Sequence, residues 1–411
     1  MRLHALPGIL ILYIAASAAQ GPSAKLTAFK RVNEGANQFS GKFVQAVAKT
    51  NRKNFVVSPI GAYLALTMAS SGAQRYTEDV FDDLLHLTGV PPDMKKMGVE
   101  VTNLILNSFD KSELSMASGI FVSSDIGLHS DFIKNPAKNR CWLAQNVNFR
   151  KPVEATNSIN SWCNECTNGD VGNILYNNLD SSTQTALFSA VNFKGTPMYR
   201  LVPVTTMHPY KVEFTYEDDT TATLPFNSAL HYVQYGKIPE AGAEFIEIPY
   251  KSDVYYRNKS MFVIMPNFTS TFAYLEENFH RISVKKLYKH STERPLTITL
   301  PQFEIKSHLD IGTILKKMGF GHIFDRKKAD FSGIFSPNNF CTSNVFNPEI
   351  ALTRVVQKTS INIDGNGIKY NPPLDDEYFS HFDVLSPFYV IIATAGEYPM
   401  NVLTARFTGQ E

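Results

Sequence analysis

Four cysteines are the side chains of this 411-residue chain best suited to metal binding or redox chemistry. Two of them, Cys163 and Cys166, form a Cys-x-x-Cys pair inside a segment with a helical pattern, whereas Cys141 and Cys341 are isolated. A structural zinc site normally takes a second ligand pair at similar spacing, and catalytic dithiols lie where a strand meets a helix. We therefore expect structural disulfides or free thiols, and no metal site. Four cysteines allow three pairings, and the sequence leaves all of them open.

Motifs of the common enzyme classes are absent from the sequence. The chain has no Gly-x-Ser-x-Gly, no His-Glu-x-x-His and no glycine-rich loop of the kind that binds phosphate. Its 39 Lys and Arg residues nearly balance its 38 Asp and Glu residues. This balance removes the electrostatic argument for nucleic-acid binding. We therefore expect a protein that is not an enzyme, carries no cofactor and binds no nucleic acid.

A stretch near the C-terminus is the one best suited to be offered to another protein. Residues 351–363 are rich in β-branched side chains and predict a strand, and a glycine-rich turn follows. Residues 368–381 have no sustained period and contain two adjacent prolines and three consecutive acidic residues. They predict an exposed loop. Two apolar runs, 382–394 and 400–407, predict a closing hairpin.

The N-terminal residues 1–19 have the composition of a secretory signal peptide. One positive charge precedes about a dozen apolar residues, and small residues follow where cleavage is expected. The alternative, a buried N-terminal helix, lacks a cap and is interrupted by Pro7-Gly8. No later stretch is long and apolar enough to span a membrane. The sequence therefore predicts a secreted, extracellular protein, glycosylated at the sequons Asn258 and Asn267.

The elements that would position these residues follow one another without a break. No linker, low-complexity run or repeat divides residues 20–411, which predicts a single domain. Residues 26–49 have apolar side chains at helical spacing. Ser58 followed by Pro59 predicts the start of a helix that is apolar on all sides and therefore buried. Thr77 is expected to cap the helix that follows.

A series of short motifs, in order along the chain, resembles the serpin family. The resemblance extends from about residue 29 to residue 407, nearly all of the chain after the signal peptide. The motifs are Asn54 with Ser58-Pro59, Ala65-Leu66, Gly72-Ala73 and Thr77; Asn160-x-Trp162 with Thr167-x-Gly169; Phe193-Lys194-Gly195; Glu247-Ile-Pro-Tyr250; Leu300-Pro-Gln-Phe303; Leu315-x-x-Met-Gly319; and Ala329-Asp-Phe-Ser-Gly333. The strand, turn and exposed loop near the C-terminus resemble the end of a serpin, with its reactive-centre loop.

This resemblance implies an α+β fold with a large central mixed β-sheet, two smaller sheets and about eight or nine helices. It also implies inhibition of endopeptidases, of the serine type or, as an alternative, of the cysteine type. In the family's mechanism a peptidase cleaves the exposed loop. The N-terminal half of the loop then inserts as a new strand into the central sheet and distorts the trapped enzyme. Such a strand must lack proline and must have small inward side chains.

The reactive-centre loop of this chain departs from those requirements. The hinge residues at issue are Gly365, Gly367, Ile368, Tyr370, Pro372 and Pro373. Counted from Gly367, the two-residue period of a strand turns Tyr370 inward, where it is bulky for a slot beneath a covering helix. The two prolines remove consecutive backbone donors that an interior strand needs. The sequence therefore predicts that insertion past Tyr370 is disfavoured.

The bond that a peptidase would cleave falls in one segment of the loop. The candidates are Asp376, Glu377, Tyr378, Phe379, Ser380 and His381. Counting forward from the hinge glycine places the bond near His381, whereas counting back from Pro387-Phe388 places it near Asp376. The loop is shorter than in most family members, so the two counts disagree and both positions stay open.

Positions on which sheet opening depends in the family are altered as well. The resemblance places Ser58, Ser189 and Gln357 in the mid-sheet region called the shutter. It places Pro197 where the family has a tryptophan near the upper end of the sheet. Ser189 stands for the family's asparagine and Gln357 for its histidine, although serine and glutamine can still hydrogen-bond. Together with the loop, these changes predict that the sheet-opening mechanism is relaxed or lost.

Two functions from different classes remain. The first is a secreted, monomeric peptidase inhibitor whose short, stiff loop binds its target like a substrate. The second is a non-inhibitory serpin with a carrier, storage, chaperone or receptor-binding role. Two basic clusters add a sulfated polysaccharide as a candidate partner. They consist of Lys285, Lys286, Lys289, His290 and Arg294, and of Arg326, Lys327 and Lys328.

Overall fold

A computed structural model describes residues 22–129, 132, 140–204, 212–251, 259–334, 349–363 and 380–409. The predicted signal peptide, residues 1–19, lies outside these ranges, as do Asn258 and Cys341. Residues 364–379 lie outside them too, and this segment includes all the hinge residues and the cleavage candidates Asp376 to Phe379. Expectations about those residues stay predictions.

Eight α-helices form in the described part of the chain. They are α1 (Pro22–Thr50), α2 (Pro59–Ser70), α3 (Tyr76–Leu84), α4 (Pro92–Asn107), α5 (Pro152–Cys166), α6 (Phe272–Glu277), α7 (Val284–Lys289) and α8 (Ile311–Lys317). Helix α2 is buried on nearly every side. Ser58 accepts a hydrogen bond from the N–H of Gly61 at 3.0 Å, and Pro59 is the first helical residue. The predicted start of this buried helix is therefore confirmed.

The cap predicted at Thr77 is wrong. Helix α3 begins at Tyr76, so Thr77 lies inside the helix and cannot cap it. The residue before the helix, Arg75, has a backbone φ of 53° and no capping side chain. The Thr77 hydroxyl instead accepts a hydrogen bond from the N–H of Asp330 at 2.8 Å and lies 3.0 Å from Nε2 of His322. Thr77 thus joins helix α3 to a distant turn, a contact that local sequence does not reveal.

Sixteen strands form three sheets of nine, five and two strands within the described residues. They are β1 (Phe55–Val57), β2 (Leu114–Ser123), β3 (Trp142–Val147), β4 (Thr185–Phe193), β5 (Val202–Pro203), β6 (Glu213–Thr215), β7 (Thr221–Thr223), β8 (Phe226–Ile238), β9 (Ala243–Pro249), β10 (Lys259–Pro266), β11 (Ser291–Pro301), β12 (Phe303–Asp310), β13 (Arg354–Ile363), β14 (Ser380–Asp383), β15 (Phe388–Thr394) and β16 (Asn401–Phe407). Helices combined with mixed sheets confirm the predicted α+β class.

The five-stranded sheet has the strand order β12, β13, β4, β2, β3. Strands β13 and β4 are parallel neighbours, and β12 and β2 pair antiparallel on either side of them. Every residue of β4 is buried, because helices cover both faces of the sheet. Helix α5 packs on one face, where Trp162 lies edge-on to Phe121 with ring centroids 5.2 Å apart, and helix α2 packs on the other.

The nine-stranded sheet has the order β1, β16, β15, β10, β9, β8, β11, β14, with β5 beside β8. It is large because the long strand β8 pairs with β11 and, through its last residues, also with β9. Strand β14 lies at the edge, parallel to β11. The chain therefore leaves the five-stranded sheet at the end of β13 and enters the nine-stranded sheet at β14. The segment 364–379 connects the two sheets.

Candidate functional site at the junction of β4 and β13

Strands β4 and β13 pair directly with each other. Their parallel register runs from Arg354 opposite Ala186 to Ile361 opposite Phe193. The family resemblance implies that the loop, which follows β13, inserts in the middle of the sheet, and in the order β12, β13, β4, β2, β3 this places the new strand between β13 and β4. The contacts that hold β4 and β13 together therefore decide whether the predicted insertion mechanism can operate.

Ser58, Ser189 and Gln357, predicted from three distant parts of the chain, lie together beneath this junction. Gln357 accepts a hydrogen bond from the N–H of Ser58 at 2.8 Å and donates one to its carbonyl at 2.9 Å. The same amide nitrogen lies 3.3 Å from the hydroxyl of Ser189, the residue directly opposite Gln357 in the register. One side chain of β13 thus binds both β4 and the start of helix α2.

The Ser58 hydroxyl extends this network to the other sheet. It donates to the carbonyl of Val402 in β16 at 2.7 Å while it accepts from the N–H of Gly61. Ser58, Ser189 and Gln357 are all nearly inaccessible to solvent, with at most 3% of their surface exposed. A polar group in such a place costs about 1–3 kcal/mol when its partner is removed. The network therefore resists separation of the strands.

Gly61 explains how closely helix α2 approaches the sheet. A Cβ atom at this position would lie 2.8 Å from the Ser189 hydroxyl oxygen and 2.9 Å from that of Ser58. Only glycine leaves room for both hydroxyls at this point, so the helix and the hydrogen-bonded serines fit together as one unit.

The opposite face of the junction is held by residues 167–184, which follow helix α5 and which we call the covering segment. Lys358 of β13 donates to the carbonyl of Asn173 at 2.8 Å. Asn192 of β4 donates to the Asp170 carboxylate at 3.1 Å. His308 of β12 contacts the carbonyl of Ile174 through Nε2 at 2.8 Å. The covering segment therefore bridges three adjacent strands.

Two side chains mark the electrostatic character of this face. Desolvation lowers the pKa of His308 below its usual value, an effect that the hydrogen bond to Ile174 opposes and that nearby Lys358 and Arg354 reinforce. His308 is therefore neutral near pH 7 and donates through Nε2. Burial raises the pKa of the Cys163 thiol on helix α5 to about 12. The thiol stays protonated and unreactive near neutral pH.

A disulfide joins Cys141 and Cys166, two of the three cysteines that the structure describes, with Cα atoms 5.4 Å apart. Cys163 is a free, buried thiol that contacts the Gly172 carbonyl at 3.7 Å. The Cys-x-x-Cys pair is thus divided between one bonded and one free residue. The disulfide ties the C-terminal end of helix α5 to the residue before β3, which links the covering helix to the edge of the five-stranded sheet.

Pro197 lies beyond the end of β4 and is buried. It forms an isolated antiparallel bridge with Tyr250. Hydrogen bonds from Met198 to Pro249 at 2.7 Å and from Lys251 to Thr196 at 2.9 Å flank the bridge. The chain after β4 is therefore tied to the nine-stranded sheet by its backbone, without the large side chain that the family resemblance leads one to expect.

The remaining predicted residues lie away from the junction. Ser380 and His381 are the first residues of β14, opposite Leu296 and Thr297. Asn267 follows β10 in a turn, where its side-chain oxygen accepts from the N–H of Thr269 at 3.1 Å. No helix in the described ranges is long and apolar enough to cross a membrane. The same residues contain no group of three or more His, Cys, Asp or Glu side chains that could hold a metal ion.

Sequence reasoning missed the covering segment. Its motif residues Thr167 and Gly169 belong to the family resemblance, but its contacts with β12 and β13 come from the backbone carbonyls of Asn173 and Ile174. Carbonyl contacts carry no residue signature. The one available signal was Lys358, a lysine in a strand that is otherwise apolar or neutral between residues 355 and 361.

Comparison with known proteins places this geometry in context. A family model described as Serpin (serine protease inhibitor) matches residues 34–397. Alaserpin of Manduca sexta is 28% identical over 301 residues, which cover 72% of this chain and 74% of the relative. Native protease nexin-1 with heparin aligns with a TM-score of 0.75 and 22% identity, over 92% of this chain and 99% of that chain. A thyroxine-binding globulin complex with thyroxine aligns with a TM-score of 0.74 and 18% identity, over 93% and 99%.

Proposed function

The chain belongs to the serpin family, and from this premise we propose that it is a secreted inhibitor of endopeptidases that binds its target like a substrate. In this proposal the reactive-centre loop, near residues 367–382, follows β13 as an exposed segment and does not insert fully into the five-stranded sheet. The description of the matching family as serine protease inhibitors supports the inhibitory activity. The similarity to alaserpin supports it as well.

The closed pair of β4 and β13, held from both faces, is the observation that carries the proposal. Insertion would separate the two strands, break the hydrogen bonds of Gln357 and displace the covering segment. A new strand normally replaces those bonds with its own. The sequence Pro372-Pro373 withholds two donors, and each buried carbonyl left unpaired costs about 1–3 kcal/mol. Loop insertion is therefore energetically unfavourable in this chain.

The position of His381 favours one of the two cleavage sites. Its Cα lies opposite Thr297 in the parallel pair of β14 and β11. A peptidase binds its substrate as an extended segment whose backbone is free to pair with the enzyme. Residues already paired within a sheet meet this condition poorly, so we place the recognised bond upstream of β14, near Asp376.

The experiment compares the wild type with a P372A/P373A variant. Each protein is titrated into a panel of serine and cysteine endopeptidases and is also cut within residues 373–379. The wild type should inhibit one enzyme reversibly, form no complex that survives denaturing electrophoresis, and show no rise in melting temperature after cutting. The variant, which regains two backbone donors, separates the effect of the prolines from that of the closed sheet.

Each outcome decides the proposal. A detergent-stable complex together with a large rise in melting temperature of the cut wild type would mean that the loop inserts. If no peptidase loses activity at stoichiometric inhibitor, the inhibitory function itself is wrong. The same panel tests whether serine or cysteine enzymes are the target.

A non-inhibitory serpin, for example a carrier, is the second candidate. The closed pair of β4 and β13 favours this candidate too, because a protein that never opens its sheet does not need a mobile hinge. One protein of the same fold is a thyroxine-binding globulin in complex with thyroxine. At 18% identity, this similarity shows the fold alone. This candidate predicts that cutting the loop leaves the peptidase active and the protein no more stable than before.

A sulfated polysaccharide is the second partner in the proposal, and helix α7 is its favoured site. Lys285, Lys289 and His290 are exposed there, whereas Lys286 is paired with Glu240 at 2.5 Å. In the other basic cluster, Arg326 donates to a carbonyl and Lys328 pairs with Asp325. A K285A/K289A variant should leave a heparin column at lower salt than the wild type. The K316A/K317A variant on helix α8, which loses the same charge, is the matched control.

A further inference from the structure

A cavity of about 520 Å³ lies between the C-terminal end of helix α2, helices α3 and α4, and strand β3. None of the described residues that line it belongs to the junction of β4 and β13 or to the covering segment. Ligand pockets for small organic molecules are typically about 300–1,000 Å³. The size of this cavity therefore fits one small molecule.

The inner wall of the cavity is apolar and partly aromatic. Val99 of helix α4 is buried, and Phe132, Trp142 and Ala144 are half-buried where they face the cavity. Met68 at the end of helix α2 adds a flexible apolar side chain. Flat aromatic surfaces beside a thioether accommodate an aromatic or aliphatic body well. Water gains little from such a wall, so an apolar group has reason to replace it.

The charged residues at the cavity have an excess of carboxylates. The cavity is lined by three carboxylates and two lysines: Glu78, Asp93, Glu100, Lys95 and Lys96. Lys95 is already neutralised, because its ammonium lies 2.5 and 2.6 Å from the two carboxylate oxygens of Asp82, outside the lining, and 3.5 Å from Glu78.

Glu100 is the carboxylate best placed to bind a ligand. It is half-buried at the cavity, and desolvation raises its pKa, an effect that the charges of Lys96 and Lys25 oppose. Because a partly desolvated carboxylate gains from a charged donor, this residue sets the sign of charge that the cavity prefers.

We propose that this cavity binds an amphipathic organic amine, with its apolar body against Trp142 and Phe132 and its ammonium group at Glu100. The aromatic rings favour the same sign of charge, since a cation is attracted to the face of an indole or phenyl ring. The described lining of the site shares no residue with the junction of β4 and β13. Failure of the site would leave the proposed inhibition intact, and loss of inhibition would leave the site intact.

Two ligands with similar phenylalkyl bodies and head groups of opposite charge test the proposal: 4-phenylbutylamine and 4-phenylbutyrate. The chain contains two tryptophans, so in a W162F background the fluorescence of Trp142 reports occupancy of the cavity. Isothermal titration of the unmodified protein provides a second readout. We expect the amine to bind at least about tenfold more tightly than the acid, the ratio that one charged hydrogen bond supplies.

Substitutions then locate the site. E100Q should weaken binding of the amine about tenfold with little effect on the melting temperature, whereas E154Q, at an exposed glutamate on helix α5, should change neither. A144F fills the cavity and should abolish binding of both ligands. Equal affinity for amine and acid, preference for the acid, or binding that survives both E100Q and A144F would each overturn the proposal. So would the absence of saturable binding of the amine up to millimolar concentration.

Discussion

Gln357 is the residue on which the closed state of the five-stranded sheet most depends. Its amide is buried and offers both a donor and an acceptor to the backbone of Ser58, and its nitrogen also reaches Ser189. An imidazole in this place could not serve donor and acceptor to the same backbone in the same way, because its two nitrogens point in diverging directions. The glutamine thus suits a strand pair that stays closed.

The substitution Q357L should lower the free energy of unfolding by about 2–4 kcal/mol, because the buried N–H of Ser58 loses its acceptor and its carbonyl loses one donor. Urea denaturation followed by circular dichroism measures the change. Gln145 in β3 of the same sheet is exposed, so Q145L, which should change the free energy by no more than about 0.5 kcal/mol, is the control. Equal losses in the two variants would contradict the role assigned to Gln357.

At this scale the sequence predicts local chemistry well and distant contacts poorly. The Ser58 cap follows from two neighbouring residues and is confirmed. The contact of Ser58 with Gln357 spans 299 positions of the chain, so no spacing rule reveals it, and only the family resemblance placed the two residues in one region. Thr77 shows the limit of local rules, since a distant turn uses its hydroxyl.

Helix α5 and the covering segment act as one element that closes the outer face of the sheet. The helix carries Asn160, whose side chain donates to the Leu175 carbonyl and accepts from the Leu175 N–H, both at 2.9 Å. The disulfide of Cys166 fixes its last residue to the sheet edge. Helix α5 is thus attached both to the covering segment and to the sheet edge, and these two attachments resist its displacement.

Removal of this disulfide in a C141S/C166S variant should lower the free energy of unfolding by about 3–4 kcal/mol, the loop-entropy estimate for a separation of 25 residues. Thermal and urea unfolding measure the loss. Reductant should destabilise the wild type to a similar extent and leave the variant unaffected. A variant as stable as the oxidised wild type would show that the disulfide adds nothing to an already rigid element.

Acidification should weaken the hold of the covering segment on β12 through His308. The folded pKa of His308 lies below 6.5, mainly because of desolvation. As the pH falls through about 6.5, the unfolded chain therefore takes up the proton first, and stability is lost. We measure the unfolding free energies of the wild type and H308Q at a series of pH values. Below that pH the wild type should become less stable relative to H308Q. A constant difference would exclude this titration.

Element prediction succeeded where a pattern is periodic and failed where it is not. The strand predicted over residues 351–363 is confirmed as β13 from Arg354 to Ile363, and the buried helix α2 follows from its uniform apolar sequence. The covering segment has no regular period, and its bonds to β12 and β13 use backbone oxygens, so the lone lysine of β13, Lys358, is the only sequence signal of its position.

The nine-stranded sheet, the five-stranded sheet and the helices together make up the α+β fold. The α+β class follows from motifs spread over nearly the full chain, because those motifs mark successive elements in a fixed order. The union of nine strands through β8 was not predicted, since it depends on which neighbours one long strand pairs with at each end. Pairing between strands distant in sequence is a property of the folded chain and leaves little trace in any one segment.

Cutting the loop should not release the C-terminal fragment. Strand β16 lies between β1 and β15, and β15 lies between β16 and β10, with every residue of both strands buried. The two fragments should elute together in gel filtration without denaturant and separate only on a denaturing gel. Elution of a free C-terminal fragment would mean that these strands are less firmly held than their burial indicates.

The interior position of β15 and β16 also changes the order of the unfolding reaction. An intact chain unfolds to one molecule, and its melting temperature does not depend on concentration. A chain cut in the loop is a heterodimer that unfolds to two molecules, so by mass action its melting temperature rises with concentration and falls on dilution. The loop thus keeps two buried strands at a high effective concentration beside their neighbours, and its loss gives the fold a dissociation constant.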